Sequence, residues 1–405
     1  MDIEIRTIGP SELRAAFVAV ETAFGGHLED DLLAFHRPFV EVDRTLGAFD
    51  AGALVGSAGA FSFSMTIPGG ELPTAGITAV GVLPSHRRRG VNTALMRAQL
   101  DDVRERGESI AVLYASQGSI YGRYGYGVAS SNAAIDVETR RSAFGPWYRP
   151  SGGVRLYERD EAVRAFLPVY DDVRRSRPGM MRLDETGFGY RLDDRFREPG
   201  AQAKGFFAGH ETDGRVDAYA QYRIRHEWGV VPQSEVMVDD LLATSPQAYA
   251  DMWRYILDID LMFRATAWNR PSDDPLFHLV LEPRPLQFRV KDALWLRLAD
   301  VEAALGARAY RSEVSAVIEV RDDFCPWNEG RYELSASGAA AACRRTDADP
   351  DVVIGVAELG AAFLGGTRLT GLLRAGRVGE ATPGAVERLD AALAWDPAPW
   401  CSLMF

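Results

Sequence analysis

The stretch VGVLPSHRRRGVNT, residues 80–93, decides how the N-terminal part of the chain reads. Alternating valines close a strand, Pro84 breaks it, and an arginine-rich loop containing one glycine, Gly90, opens a helix. Backbone N–H groups at a helix start have no partner within the helix and lie at the positive end of its dipole, so they bind pyrophosphate well. Gly90 permits close backbone approach, and Arg87, Arg88 and Arg89 add charge-assisted contacts from side chains expected to face solvent. Taken alone, the loop also reads as a basic helix cap on the surface.

Outward from this stretch the N-terminal part alternates strands and helices. Ile3 to Ile8 reads as a strand, and Ser11 to Phe24 as a helix with Ser11 as its N-cap. Leu46 to Phe49 and Ala53 to Thr66 read as strands joined by an Asp50-Ala51-Gly52 turn. Pro68-Gly69-Gly70 feeds a strand at Ile77 to Leu83. A helix from about Arg89 to Arg106 and a buried strand, Ile110 to Tyr114, follow. Next comes SQGSIYGRYGYG, Ser116 to Gly127, with Ser116 as the expected N-cap of a short helix that Gly125 and Gly127 end. Helical side chains lean toward the N-terminus, which points Tyr121 toward the preceding strands. Tyr124 and Tyr126 read as packing residues.

Composition bounds the function. The chain has 405 residues, 47% hydrophobic and 25% charged, as expected of a globular protein of two or three domains. A net charge of −12 argues against a nucleic-acid partner and suits a cationic ligand. Cys325, Cys343 and Cys401 show no CxxC spacing and the six histidines form no HExxH pair, so no disulfide framework and no metal are expected. No uninterrupted apolar run of about 18 residues is present, so no membrane span is expected. The opening MDIEIRTIGPSELR lacks the basic-then-apolar leader pattern, and the expected location is the cytoplasm.

Pro146 to Gly153 reads as a linker into a second α/β pattern. There Ala162 to Arg175 and Gln247 to Ile259 are helical, and Phe206 to Ala208, Ala218 to Ile224 and Phe277 to Leu281 are strands. This half has no counterpart of the Arg/Gly loop. Pro283-Arg284-Pro285 marks a second boundary. Beyond it lie a short helix at Val301 to Leu305, strands near Ala316 to Val320 and Tyr332 to Ser337, and helices at Gly355 to Leu364 and Ala385 to Ala394. The end, WDPAPWCSLMF, carries no charge in its last nine residues and is expected to be buried.

The pattern V-x-V-x-P-x-x-R-R-x-G resembles the acyl-CoA-binding signature of the GNAT N-acetyltransferases. The resemblance assigns Val80, Gly81 and Val82 to the pantetheine arm of acetyl-CoA. Arg87, Arg88, Arg89, Gly90, Val91, Asn92 and Thr93 fall on its pyrophosphate, with Ser116 and Gln117 also on the coenzyme. Asn92 departs from the Gly or Ala frequent there. A tyrosine at Tyr121 is similar in role to a general acid.

His86 to Gly90, the IYGRYGYG segment and the terminal Phe405 together resemble the Eis (enhanced intracellular survival) family over essentially the whole chain. That family implies mixed α/β architecture: a GNAT domain (1–148), a second GNAT-like domain without a coenzyme motif (149–285) and a sterol-carrier-protein-like domain (286–405). It implies a homo-hexamer that acetylates amino groups of small polyamines, notably aminoglycosides, with the Phe405 α-carboxylate as base. Phe24, His36 and Met404 are expected to line the substrate pocket, with His27 and Phe35 beside them. Met404 stands where the family has an acidic residue; Glu29, Asp30 and Asp31 are nearby sources of charge. Two other readings stay open: acylation of peptide or protein amines, and a lipid- or partner-binding protein with a vestigial site.

Overall fold

The structure, a computed structural model, describes residues 3–193, 204–229, 233–337 and 340–405. Met1 and Asp2, the first two residues of the leader reading, lie outside the described residues. In chain order the first strands are β1 (Ile3–Thr7), β2 (Leu46–Asp50), β3 (Ala53–Ile67), β4 (Gly70–Val82), β5 (Ile110–Tyr114), β6 (Gly127–Val128) and β7 (Ser131–Glu138). The helices among them are α1 (Leu13–Ala23), α2 (Asp30–His36), α3 (Val91–Glu105) and α4 (Gly118–Tyr121). The β2–β3 turn needs two residues with positive φ, and Ala51 and Gly52 supply 50° and 81°. Ser11 does not cap α1: it lies in a 3-10 turn, Pro10–Glu12, where the Glu12 carboxylate accepts from the Gly9 N–H at 2.7 Å.

Next come β8 (Gly153–Tyr157), β9 (Phe206–Thr212), β10 (Arg215–Arg225), β11 (Ser234–Ala243), β12 (Met262–Pro271), β13 (Arg289–Asp292) and β14 (Leu294–Leu298). With them run α5 (Arg159–Ser176), α6 (Glu185–Arg191), α7 (Pro246–Leu257) and α8 (Leu276–Leu279). The strand expected at Phe277 to Leu281 is thus a helical turn, begun by Pro275 and capped in part by the Asp274 carboxylate, which accepts from Leu276 N at 2.9 Å. The last elements are α9 (Val301–Ala307), β15 (Val314–Arg321), β16 (Gly330–Ser337), β17 (Ala340–Arg345), β18 (Val352–Gly355), α10 (Val356–Phe363), α11 (Leu369–Arg374), β19 (Val378–Glu380) and α12 (Ala385–Leu393).

Among the described residues these strands form three mixed sheets, with strand orders β1-β2-β3-β4-β5-β14-β6, β13-β7-β12-β11-β10-β9-β8 and β17-β16-β15-β18-β19. The architecture is mixed α/β. The chain divides into two compact units, residues 1–129, 294–395 and Phe405 in one, residues 130–293 and 396–404 in the other. In the first unit α3 buries Leu95, Met96, Leu100 and Val103, at helical spacing, against Ala58, Ala60, Ala75, Ala111 and Leu113 of the sheet. β14, from the segment 286–405, is hydrogen-bonded into this sheet between β5 and β6. The third sheet also lies in this unit, its strands burying Ile318, Leu334 and Ile354.

In the second unit α5 stacks Phe166 on Tyr219, centroids 4.8 Å apart, while α7 joins the parallel pair β11 and β12 and buries Met252, Trp253 and Ile256. The apolar tail is largely buried as expected. Trp400, Cys401 and Leu403 are buried, and Trp400 donates from its indole nitrogen to Asn269 at 3.1 Å.

Candidate active site

The site is made by a strand that leaves its neighbour. β4 pairs in parallel with β5 only at Thr74↔Ile110, Ala75↔Ala111 and Gly76↔Val112. On its other side the register against β3 jumps from Gly59↔Thr78 to Ser57↔Gly81, so one extra residue is inserted around Ala79, whose φ is 50°. Such a bulge bends the strand and takes backbone groups out of the ladder. The residues after it, Val80 to Val82, therefore diverge from β5 and form one wall of a cleft of about 660 Å³. Gly81 is needed behind that wall, because a Cβ there would lie 2.9 Å from the Cα of Val20 in α1.

The cleft runs on to the start of α3. Gly90, with φ 82°, is its N-cap and provides no side-chain cap, so the first N–H groups of the helix face the cleft unpaired by any capping side chain. Val80, Gly81, Val82, Arg87, Arg88, Gly90, Val91, Asn92, Thr93, Ser116, Gln117 and Tyr121 all line it, as does Phe24, which is 64% exposed. Arg89 is turned away: it pairs with Asp50 at 3.1 Å, and the same carboxylate meets the His86 ring at 3.2 Å. Asp50, at the end of β2, thus anchors the arginine loop, a contact that sequence spacing does not reveal. Arg87 is held by the Ala23 carbonyl. This donor set (helix N–H groups, two guanidiniums and a hydroxyl beside an open strand edge) fits a long ligand with a phosphoanhydride, which is the chemistry of coenzyme A. Among the described residues no three His, Cys, Asp or Glu side chains gather as a metal site, and no helix is long and apolar enough to cross a membrane.

The three tyrosines separate clearly. Tyr121 ends α4, with 6% of its surface exposed and its ring lining the cleft. Burial raises its pKa above the ordinary 10, partly offset by a hydrogen bond with Ser116, so it stays protonated at neutral pH. Ser116 therefore serves the hydroxyl; the N-cap of α4 is Gln117. Tyr124 is more than packing, since its hydroxyl accepts from Asn92 Nδ2 at 3.2 Å and lies 3.3 Å from Thr93 Oγ1, tying the first turn of α3 to the tyrosine segment. Tyr126 is wholly buried, and its hydroxyl makes no hydrogen bond among the described residues.

Phe405 does not line the coenzyme cleft. Its ring packs edge-on against Phe63 and Tyr114, centroids 5.0 and 5.4 Å apart, and approaches the backbone at Gly76. Gly76 is the last residue of the β4–β5 ladder and Tyr114 the last of β5, so the chain terminus sits where the two strands part. His36, at the end of α2, stacks on Phe17 and meets Phe35 edge-on, and burial lowers its pKa. Met404 is 46% exposed, and neither it nor His36 lines the cleft.

A strand that splays at a bulge, an arginine loop and an uncapped helix start define a GNAT acetyltransferase. The comparisons agree. Family models described as acetyltransferase (GNAT) domain match residues 4–129 and 179–298, and one described as sterol carrier protein domain matches residues 301–402. An uncharacterized N-acetyltransferase of Streptomyces avermitilis is 41% identical over 414 residues, 99% of each chain. N-acetyltransferase Eis of Mycobacterium tuberculosis is 33% identical over 394 residues, 94% of each. The crystal structure of Eis1 from Mycobacterium abscessus superposes with a TM-score of 0.86 at 35% identity, covering both chains in full. The chain belongs to the Eis family of N-acetyltransferases, two GNAT domains followed by a sterol-carrier-like domain.

Proposed function

We propose that this N-acetyltransferase transfers the acetyl group of acetyl-CoA to amino groups of small polyamines, with aminoglycosides as the substrate class, Tyr121 as general acid and the Phe405 α-carboxylate as base. The observation that carries the reading is Tyr121, a buried phenol kept protonated at the wall of a cleft that Arg87, Arg88 and the start of α3 also line. The three segments 1–148, 149–285 and 286–405 are the domains in which we place coenzyme binding, a second GNAT-like half and the sterol-carrier-like half.

Acetyl-CoA bound in the cleft supplies an activated acetyl thioester. Val80, Gly81 and Val82 hold the pantetheine along the free strand edge, Arg87, Arg88 and the α3 N–H groups hold the pyrophosphate, and Ser116 and Gln117 close over it. In this reading backbone N–H groups beside the Ala79 bulge donate to the acetyl oxygen, and such preorganised donors together with positioning supply most of the rate gain. The Phe405 carboxylate, ordinarily ionised above about pH 3.5, accepts a proton from the substrate ammonium. The Tyr121 hydroxyl gives its proton to the departing thiolate. The net charge of −12 favours a polycationic substrate, which Phe24, His36 and Met404 would border. A cytoplasmic homo-hexamer completes the reading, and sedimentation of the purified protein tests that assembly.

Turnover of acetyl-CoA with a panel of amines tests the substrate class. Tyr121→Phe keeps the ring and removes the proton, so kcat should fall by about 10²–10⁴-fold. Residues added after Phe405 turn its carboxylate into an amide and should abolish turnover while acetyl-CoA still binds. Wild-type turnover in the extended protein would remove the carboxylate from the chemistry.

A further inference from the structure

The segment bearing Tyr121 rests on a strand that arrives from more than 160 residues away in sequence. β14 enters the first sheet with Trp295 opposite Leu113 and Arg297 opposite Ala111, two residues apart and so on one face. Each meets one glycine of the tyrosine segment. A Cβ at Gly118, the first residue of α4, would lie 2.8 Å from the Trp295 ring. At Gly125, where the segment turns with φ 82°, a Cβ would lie 2.6 Å from Arg297 Nη1. Tyr121 stands between these two seats.

Arg297 is the less expected of the pair. It has no exposed surface and is paired through Nη2 with Asp322, itself buried, at 2.5 Å. Asp322 also accepts from Cys325 N at 2.9 Å and from Asn328 Nδ2 at 3.2 Å, so the anion is fixed before the cation meets it. Arg297 also lies against the buried Cys325 thiol, but its Nε and Nη1 meet no nitrogen or oxygen acceptor among the described residues, nor does the Tyr126 hydroxyl make a hydrogen bond there; the Tyr126 ring lies edge-on to Tyr121 at 6.2 Å. A buried guanidinium with two such donors is a costly choice for packing alone, because an apolar side chain of like size would fill the space without desolvating a charge.

We propose that Arg297, with Trp295, is a positioning residue for Tyr121: the rigid Arg297–Asp322 pair fixes the Gly125–Tyr126 turn, and Trp295 fixes Gly118, so that the Tyr121 hydroxyl is presented to the cleft. The proposal rests on Tyr121 being the general acid, and it assigns part of the acid's geometry to a strand outside the coenzyme motif.

The test is a double-mutant cycle of Arg297→Lys with Tyr121→Phe, read as kcat and as KM for acetyl-CoA. Lysine keeps the charge but loses the planar fork. Alone it should lower kcat by about 10- to 100-fold, as a shift of about 1 Å in a catalytic group does, with KM for acetyl-CoA within about twofold. In the Tyr121→Phe background it should change kcat by less than about twofold, because the group it positions is gone. Equal losses in both backgrounds would mean a general structural role and overturn the proposal, as would wild-type kcat in Arg297→Lys.

Arg297→Met combined with Asp322→Leu removes the buried pair without leaving an unpaired charge and serves where the lysine variant folds poorly. Wild-type kcat in that folded variant also overturns the proposal. Tyr121→Phe alone reports on the acid assignment, so wild-type kcat there fails that reading separately from this one.

Discussion

Gly76→Ala is the sharpest probe of how the chain terminus reaches the site. The alanine methyl would stand 2.3 and 2.5 Å from Cε2 and Cδ2 of Phe63 and 3.3 Å from Cε2 of Phe405. Carbon atoms settle at about 3.5–4.0 Å, so the Phe63 ring must move by more than about 1 Å. Gly76 φ is not in the left-handed region, so the backbone accepts alanine and the perturbation is purely steric. Phe63 packs edge-on to Phe405, and displacing the first ring displaces the second. Overpacking a buried site of this kind costs about 1–3 kcal/mol, read as a lower denaturant midpoint.

The functional loss should be larger in proportion. A carboxylate moved by about 1 Å loses about 100-fold in kcat, and Gly76 lies outside the coenzyme cleft, so acetyl-CoA affinity should hold. Steady-state turnover, with calorimetry for acetyl-CoA, separates the two. A Gly76→Ala protein that is destabilised yet turns over at the wild-type rate would refute the idea that this aromatic seat places the terminal carboxylate.

Arg88→Ala should weaken acetyl-CoA binding by the worth of a charge-assisted contact, about 1.5–3 kcal/mol, whereas Arg89→Ala, which breaks only the part-exposed pair with Asp50, should cost about 1 kcal/mol or less; calorimetry showing the reverse order would misplace the phosphate. Tyr124→Phe should raise the acetyl-CoA Kd by about 2- to 10-fold through the lost bonds to Asn92 and Thr93, while Tyr126→Phe leaves it unchanged. Stability should also depend on pH through buried His210. Burial lowers its pKa, but hydrogen bonds with Asp217 at 2.6 Å and the Ser151 carbonyl at 2.9 Å, with the Asp217 and Asp251 charges, raise it overall. The folded state therefore holds the proton more tightly, and this stabilisation is complete below about pH 6.5 and lost as pH rises through the folded value. Melting curves across that window should flatten in His210→Gln, and an unchanged slope would assign the dependence elsewhere.

What the sequence made legible is what its local chemistry decides. The arginine loop, Gly90, the positive-φ turn at Ala51-Gly52 and the helix that follows Gly90 all rest on neighbours within a few residues. The short apolar run at Phe277 to Leu281 shows where local pattern fails: four apolar residues suit either state, and Pro275 and the Asp274 cap decide for a helix. Ser11 lost its cap role to Glu12 in the same way, through a carboxylate reaching back to Gly9. Asp50 as the anchor of the loop, and the bonds of Tyr124, needed pairings across 31 to 39 residues that no spacing rule announces.

The deeper reason lies in how the sheet is closed. β14 comes from beyond the second GNAT-like segment, yet it lies next to β5, on the edge opposite β4. β4 pairs with β5 only as far as Gly76↔Val112, which opens the cleft on that edge, while β14 pairs the opposite edge of β5 over its whole length, Ile110 to Tyr114. The same strand brings Trp295 and Arg297 to the tyrosine segment, whose glycines are small because those side chains stand against them. The glycines around Tyr121 were thus visible in the sequence as turn signals, but part of their cause is a strand that the sequence places far away. Gly76 repeats the pattern with the rings of Phe63 and Phe405. In both places an absent side chain marks where a distant part of the chain comes to hold the chemistry.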